Sequence, residues 1–149
     1  MTCVLPYQRD FSTIETMSPI ELATVRWLEK CLLNQPQLDL KYEHALWAGV
    51  YDRTVLVPRG HIITGAPVKI ETLLTIVGDV IIGLDGNEQR VTGFAKIRAA
   101  AHRMGVFTAL EDTYITMSFA TKAKTIAEAE AEFTDEAHRL ASRRQECPA

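Results

Sequence analysis

From residue 49 to residue 119 the apolar positions fall in short alternating runs, not at helical spacing. The runs read GVYDRTVLVPRGHIITG, VKIETLLTIVGDVIIGLDGNEQRVTG and VFTALEDTYITMSF, rich in Val, Ile, Thr and Leu. They break at Pro58-Arg59-Gly60, Gly65-Ala66-Pro67, Asp85-Gly86-Asn87 and Glu111-Asp112. Short strands with a turn signal roughly every eight residues predict an all-β barrel or sandwich.

Either side of that block the pattern changes. Residues 1–16 carry Val4, Leu5, Tyr7, Phe11 and Ile14 without clear periodicity, an apolar arm that folds over its own barrel or reaches a neighbour. Ser18-Pro19-Ile20-Glu21 is a helix start: Ser18 caps, Pro19 suits the first helical position and Glu21 completes a capping box. Leu22, Val25, Leu28 or Glu29, and Leu32 then follow at helical spacing, and Asn34, Gln35 and Pro36 close a helix over residues 18–35. Trp27 and Leu33 lie off that stripe, either packed on its flank or in contact with another subunit.

Strict alternation over residues 38–43 predicts a half-buried strand, with Trp47 plugging the barrel end. A strand at 51–57 and another from His61 follow, then, after Gly65-Ala66-Pro67, a long strand to Val77. Residues 79–84 and 88–92 form a hairpin across Asp85-Gly86-Asn87, since Asp-Gly accepts the positive φ of a tight turn. Residues 94–104 have helical propensity, but Gly93 and Gly105 box them in and neighbouring strands need a partner, so they are expected to be strand and loop. Thr125-Ile126-Ala127-Glu128 opens a C-terminal helix, with a second start at Thr134-Asp135-Glu136. Acidic residues crowd that segment's beginning and arginines its end, matching the helix dipole. Its repeated Ala-Glu pairs read as a solvated face. Ile126, Phe133 and Leu140 recur seven apart, which fits self-association or packing back onto the barrel.

Composition narrows the function classes. The 149 residues suffice for one domain with a real core, and a net charge of −3 argues against nucleic-acid binding. Cys3, Cys31 and Cys147 make no disulfide framework and suit a reducing compartment. No apolar run approaches a membrane span, and MTCVLPYQRDFST is not a secretory signal. Phosphate loops, Cys-x-x-Cys pairs and nucleophile elbows are absent from the sequence. Glu111-Asp112 sits at a turn, where carboxylates cap backbone amides.

Pro58-x-Gly60, the turn at Gly65, the strand into Gly78-Asp79-Val80, the Glu111-Asp112-Thr113 turn and the tail AEAEAEFTDEAHRL together resemble the small cupin-like proteins encoded by tailed bacteriophages. The resemblance spans roughly residues 50–140. It implies a mainly β fold: a single jelly-roll, cupin-like barrel over residues 38–119, with an N-terminal helix and one or two C-terminal helices at 125–144. Cupins that do chemistry hold a divalent metal inside the barrel, typically with two histidines two apart on one strand, a carboxylate and a later histidine. Residues two apart on a strand share a face, so such a pair points into the barrel. Here the matching positions are Val68, Ile70 and Thr72, then Leu110 and Phe119, and none is a histidine. The expectation is therefore a packed core without metal or other cofactor.

His44, His61, His102 and His138 are scattered. Only His61 and His102, with Glu71, offer an unorthodox site. The expected function is that of a non-catalytic structural protein of a tailed-phage virion, assembled in the host cytoplasm and present as a homo-oligomer or in many copies. It would touch capsid, collar or tail proteins through Phe11, Trp27 and Leu33, and neither nucleic acid nor membrane. The alternative is a cupin-type metal-dependent enzyme or small-ligand-binding protein.

Overall fold

The computed structural model describes residues 13–140; Phe11, Cys3 and Cys147 lie outside the described residues. In chain order it has β1 (Thr13–Ile14), α1 (Pro19–Leu33), β2 (Tyr42–Trp47), β3 (Val50–Val57), β4 (Ile62–Val68), β5 (Thr72–Ile82), β6 (Gln89–Ala99), β7 (Arg103–Ala109), β8 (Thr113–Ala120), α2 (Ile126–Phe133) and a 3₁₀ turn at Ala137–Arg139. The fold is mainly β, as the alternation predicts.

Strand pairing defines a jelly roll. β5 pairs with β6, β4 with β7 and β3 with β8, all antiparallel, so one hairpin nests inside another. The ribbon is folded at a glycine pair, Gly78 opposite Gly93. Before Gly78, Leu73 to Val77 of β5 pair with β8; beyond it, Val80 to Ile82 pair with β7. β5 and β6 thereby serve two layers. The larger runs β1-β6-β5-β8-β3-β2; the smaller joins β4 and β7 to the far ends of β5 and β6. Gly78 has φ +148°, and a Cβ there would lie 2.4 Å from Thr113 Oγ1 and 2.7 Å from its Cα, so the crossing admits no side chain.

Between the layers, β3, β5 and β8 turn alternate residues inward: Val55, Leu74, Ile76, Val80, Ile115 and Met117 are all buried. β7 is buried on both faces, because α1 covers its outer side. Val25 of α1 meets Met104 and Val106 there. The predicted capping box is present, Ser18 Oγ accepting from Glu21 N–H and Glu21 Oε1 from Ser18 N–H.

Several boundaries differ from expectation. The strand expected at 38–43 begins at Tyr42, and the break expected at Gly65-Ala66-Pro67 falls instead at residues 69–71: β4 runs through to Val68, with a register shift between Thr64 and Pro67, and β5 starts at Thr72. Residues 69–71 turn because β4 and β5 belong to different layers at that end. Trp47 does not plug the barrel: Tyr42, His44 and Leu46 are the inward set on β2, which leaves Trp47 outward and 83% exposed. The ambiguous stretch at 94–104 is strand and loop, as expected: β6 runs to Ala99, residues 100–102 turn, and β7 starts at Arg103. Among the described residues the second C-terminal helix is a 3₁₀ turn, residues 141–144 of the expected segment lying outside them, and Phe133 and Leu140 of the sevenfold series pack onto the barrel core.

Candidate functional site: a cleft between the layers

A partly open cleft of about 1500 Å³ enters the space between the two layers. Its rim includes α1, residues 35–40 and residues 83–88, and its inner walls include Val55, Leu74, Phe107, Ile115 and Met117. This corrects the expectation of a barrel packed solid by its apolar residues. A cleft of this size exceeds what a small organic ligand needs.

Three charged side chains are buried in or beside it: Arg53 and Arg103 line the cleft, and Glu130 pairs with Arg53. Arg53 projects inward from β3, where Tyr51, Val55 and Val57 share its face, and Glu130 projects from α2. Arg53 Nη1 lies 3.2 Å from Glu130 Oε2. The guanidinium also sits 4.2 Å from the Tyr42 ring centroid and 5.8 Å from that of Phe133, so aromatic faces flank the ion pair. Tyr51 joins the group: its hydroxyl is 2.7 Å from His44 Nδ1 and bonds Arg53, while burial pushes its pKa up against the pull of that arginine. Glu130 is only 3% exposed, so the Ala-Glu pairs are not uniformly a solvated face. It stands three residues before Phe133, on the side of α2 that meets the barrel.

The third charge is Arg103, at the start of β7 and 4% exposed. Its Nη1 donates to the carbonyls of Ile70 and Ala100, and its Nη2 to Thr72 Oγ1. It forms no ion pair with a carboxylate among the described residues. Burial alone pushes the guanidinium down to about 10, which leaves it charged at neutral pH.

The unorthodox histidine site does not assemble. β4 and β7 run antiparallel with Ile62 opposite Thr108 and Val68 opposite Arg103, so His61 and His102 stand at opposite ends of that ladder. Both are exposed, as is Glu71, and His102 occupies a turn with φ 60°. Among the described residues no three His, Cys, Asp or Glu side chains converge in the manner of a metal site. At the expected ligand positions Val68 is buried, Thr72 binds Arg103 and Phe119 stacks edge-on with Tyr51, a donor set that does not fit a divalent cation. The Glu111-Asp112 turn behaves as expected in one respect, Asp112 Oδ1 accepting from Arg59 N–H at 2.9 Å.

Trp27 and Leu33 are 64% and 48% exposed on α1, with Ile20 also outward. Trp27 stands away from the cleft, whereas Ile20 and Leu33 are on its rim. Sequence reasoning passed over Arg53, Glu130 and Arg103. For Arg53 a signal exists, because it falls in phase with Tyr51, Val55 and Val57. Glu130 has one too, in its helical spacing from Phe133. Arg103 has none, since its strand begins in an Ala-rich stretch without alternation.

No protein-family model matches the chain, and no curated protein does. Solved structures with partial similarity in fold include cupin-superfamily proteins. KdgF from Halomonas sp. is 17% identical with a TM-score of 0.48, over 60% of this chain and 87% of that one. A cupin-superfamily protein from Desulfitobacterium hafniense is 13% identical with a TM-score of 0.48, over 76% and 100%. A cupin-2 domain protein from Shewanella frigidimarina is 10% identical with a TM-score of 0.43, over 63% and 91%. At these values no activity carries across, and the jelly-roll assignment rests on the strand pairing.

Proposed function

We propose that the chain is a non-catalytic small-molecule-binding protein whose ligand enters the cleft between the two layers. The observation that carries this is the cleft itself, with apolar walls from β5, β7 and β8 and arginines buried among them. Apolar surface supplies affinity, and a few fixed polar groups set the ligand's orientation. The test is NMR titration of the labelled chain with a library of small organic compounds. Binders are expected to shift resonances of Leu74, Phe107, Ile115 and Met117, and Leu74→Trp, which fills the cleft, is expected to abolish the shifts. Binders acting only on the outer face of α1, or no binder at all, would overturn the reading.

A second reading is a structural protein of a tailed-phage particle, assembled in the host cytoplasm and acting through contacts with capsid, collar or tail proteins or with further copies of itself. The exposed Ile20, Trp27 and Leu33 favour it, since large apolar side chains on one helix suit burial against a partner. The double substitution Trp27→Ser, Leu33→Ser is expected to abolish incorporation into particles while leaving the melting temperature unchanged. Normal incorporation of that variant would remove α1 as the contact.

A further inference from the structure

We infer that Arg103 is the seat for an oxyanion group, carboxylate or phosphate, on an organic ligand whose apolar part lies against Phe107 and the inner face of β5. The inference rests on the reading of the cleft as a ligand site and names the class of ligand.

The buried charges do not balance. Arg53 and Glu130 neutralise one another, whereas Arg103, equally deep, hydrogen-bonds only carbonyls and a hydroxyl among the described residues and forms no ion pair with Asp135 or Glu136, which share a shallow recess with it. A buried cation without an anion is costly, and an incoming oxyanion relieves that cost. Hydrogen bonding leaves donors for the anion. A guanidinium has five N–H donors, of which Ile70, Ala100 and Thr72 take three. Nε–H and one Nη2–H are left, and a guanidinium edge of Nε–H beside Nη2–H is the kind that donates to a carboxylate or phosphate bidentately. No fully buried side-chain nitrogen or oxygen among the described residues lacks a partner, so this Nε is reached by solvent. The bonds to Ile70, Ala100 and Thr72 hold the plane of the group before any ligand arrives.

The strand supplies the rest of the contact. Arg103, Gly105 and Phe107 follow one another on the inner face of β7, and all three line the cleft. A Cβ on Gly105 would lie 2.6 Å from the Phe107 ring, so the ring rests over the glycine and brings an aromatic wall toward the guanidinium. Leu74 stands two residues beyond Thr72 on the inner face of β5, also lining the cleft.

The test is calorimetric titration of the full chain with benzoate, phenylacetate, hexanoate and phenyl phosphate, each against its neutral counterpart (the amides, and phenol for phenyl phosphate), and with inorganic phosphate alone. At least one organic anion is expected to bind ten-fold or more tightly than its counterpart; the carboxylates and the phosphate ester tell the two oxyanion classes apart. Arg103→Gln is expected to remove that preference, and Arg90→Gln, which deletes an exposed arginine, to keep it. Because Arg103 also clamps two turns, Arg103→Lys serves as the second variant. It keeps the charge but loses the two-pronged edge, with a several-fold loss for anions and none for neutral compounds. Equal binding of anions and counterparts, or a preference that survives Arg103→Gln, would overturn the assignment while leaving the cleft as a ligand site. Inorganic phosphate binding as tightly as any organic anion would overturn the organic part. Failure of every compound to bind would overturn both this inference and the reading beneath it.

Discussion

Removing the Glu130 carboxylate takes from Arg53 the anion it faces while keeping the guanidinium enclosed by Tyr42 and Phe133. Breaking a buried pair on one side typically costs about 3–5 kcal/mol, whereas replacing both partners with apolar groups of similar volume is close to neutral. Glu130→Ala is therefore expected to lower the unfolding free energy by about that amount in urea titrations. Arg53→Met with Glu130→Leu is expected to recover most of it. A single variant as stable as the double would show that the pair holds nothing in place. The two residues also mark where sequence reading stops. Period-two alternation shows that Arg53 shares a face with Val55, but not that this face is the inner one and enclosed by α2. Glu130 sits among look-alike Ala-Glu pairs, and only the docking of Phe133 separates it from Glu128 and Glu132.

Elements whose cues are local were legible. Ser18 and Glu21 sit within one turn of each other, and Asp85 and Gly86 take positive φ, 54° and 85°, in the loop between β5 and β6. Elements whose limits depend on distant partners were not. β5 runs unbroken through Gly78 because β8 and β7 hand over there, and no residue near Gly78 announces either of them. The tie between α1 and the C-terminal turn is another long-range feature. Glu136 receives Arg26 at 2.8 Å and Arg139 at 3.0 Å, and Glu29 meets the same two arginines at 3.4 and 3.3 Å. Burial works to raise the Glu136 pKa, but the hydrogen bonds from Arg26 and Arg139 outweigh it and hold the carboxyl below its ordinary range. A carboxyl depressed in the folded state stabilises above its unfolded pKa and loses that contribution as pH falls through the folded one. Glu136→Gln is thus expected to melt a few degrees lower at pH 7, by about 1 kcal/mol, and to match the parent once both are below the carboxylate range. A gap that persists in acid would mean that the side chain acts by packing.

Across the whole molecule, the Gly78–Gly93 fold lets one ribbon build two layers and leaves the cleft between them. Gly78→Ala sets a methyl group against Thr113, whose hydroxyl accepts from Asp79 N–H and donates to the Glu111 carbonyl. Both layers meet at that point, so a loss of several kcal/mol, on the order of 3, is expected together with weaker ligand binding. Calorimetric melting and ligand titration of the variant check both, and unchanged melting would mean that the crossing tolerates a side chain.

The nesting of the hairpins also orders events in time. β2 and β3 are joined by a two-residue turn at Ala48 and Gly49, so they pair as soon as they are made. The other edge of β3 waits for β8, whose Thr113 to Ala120 face Val57 to Val50. Non-local pairing is slow to close, and an open strand edge invites pairing with another chain. On a ribosome, β3 therefore holds a bare edge while the inner hairpins zip from β5 and β6 outward. The arrival of residues 113–120, more than the strength of any one contact, sets how long newly made chains stay exposed to one another.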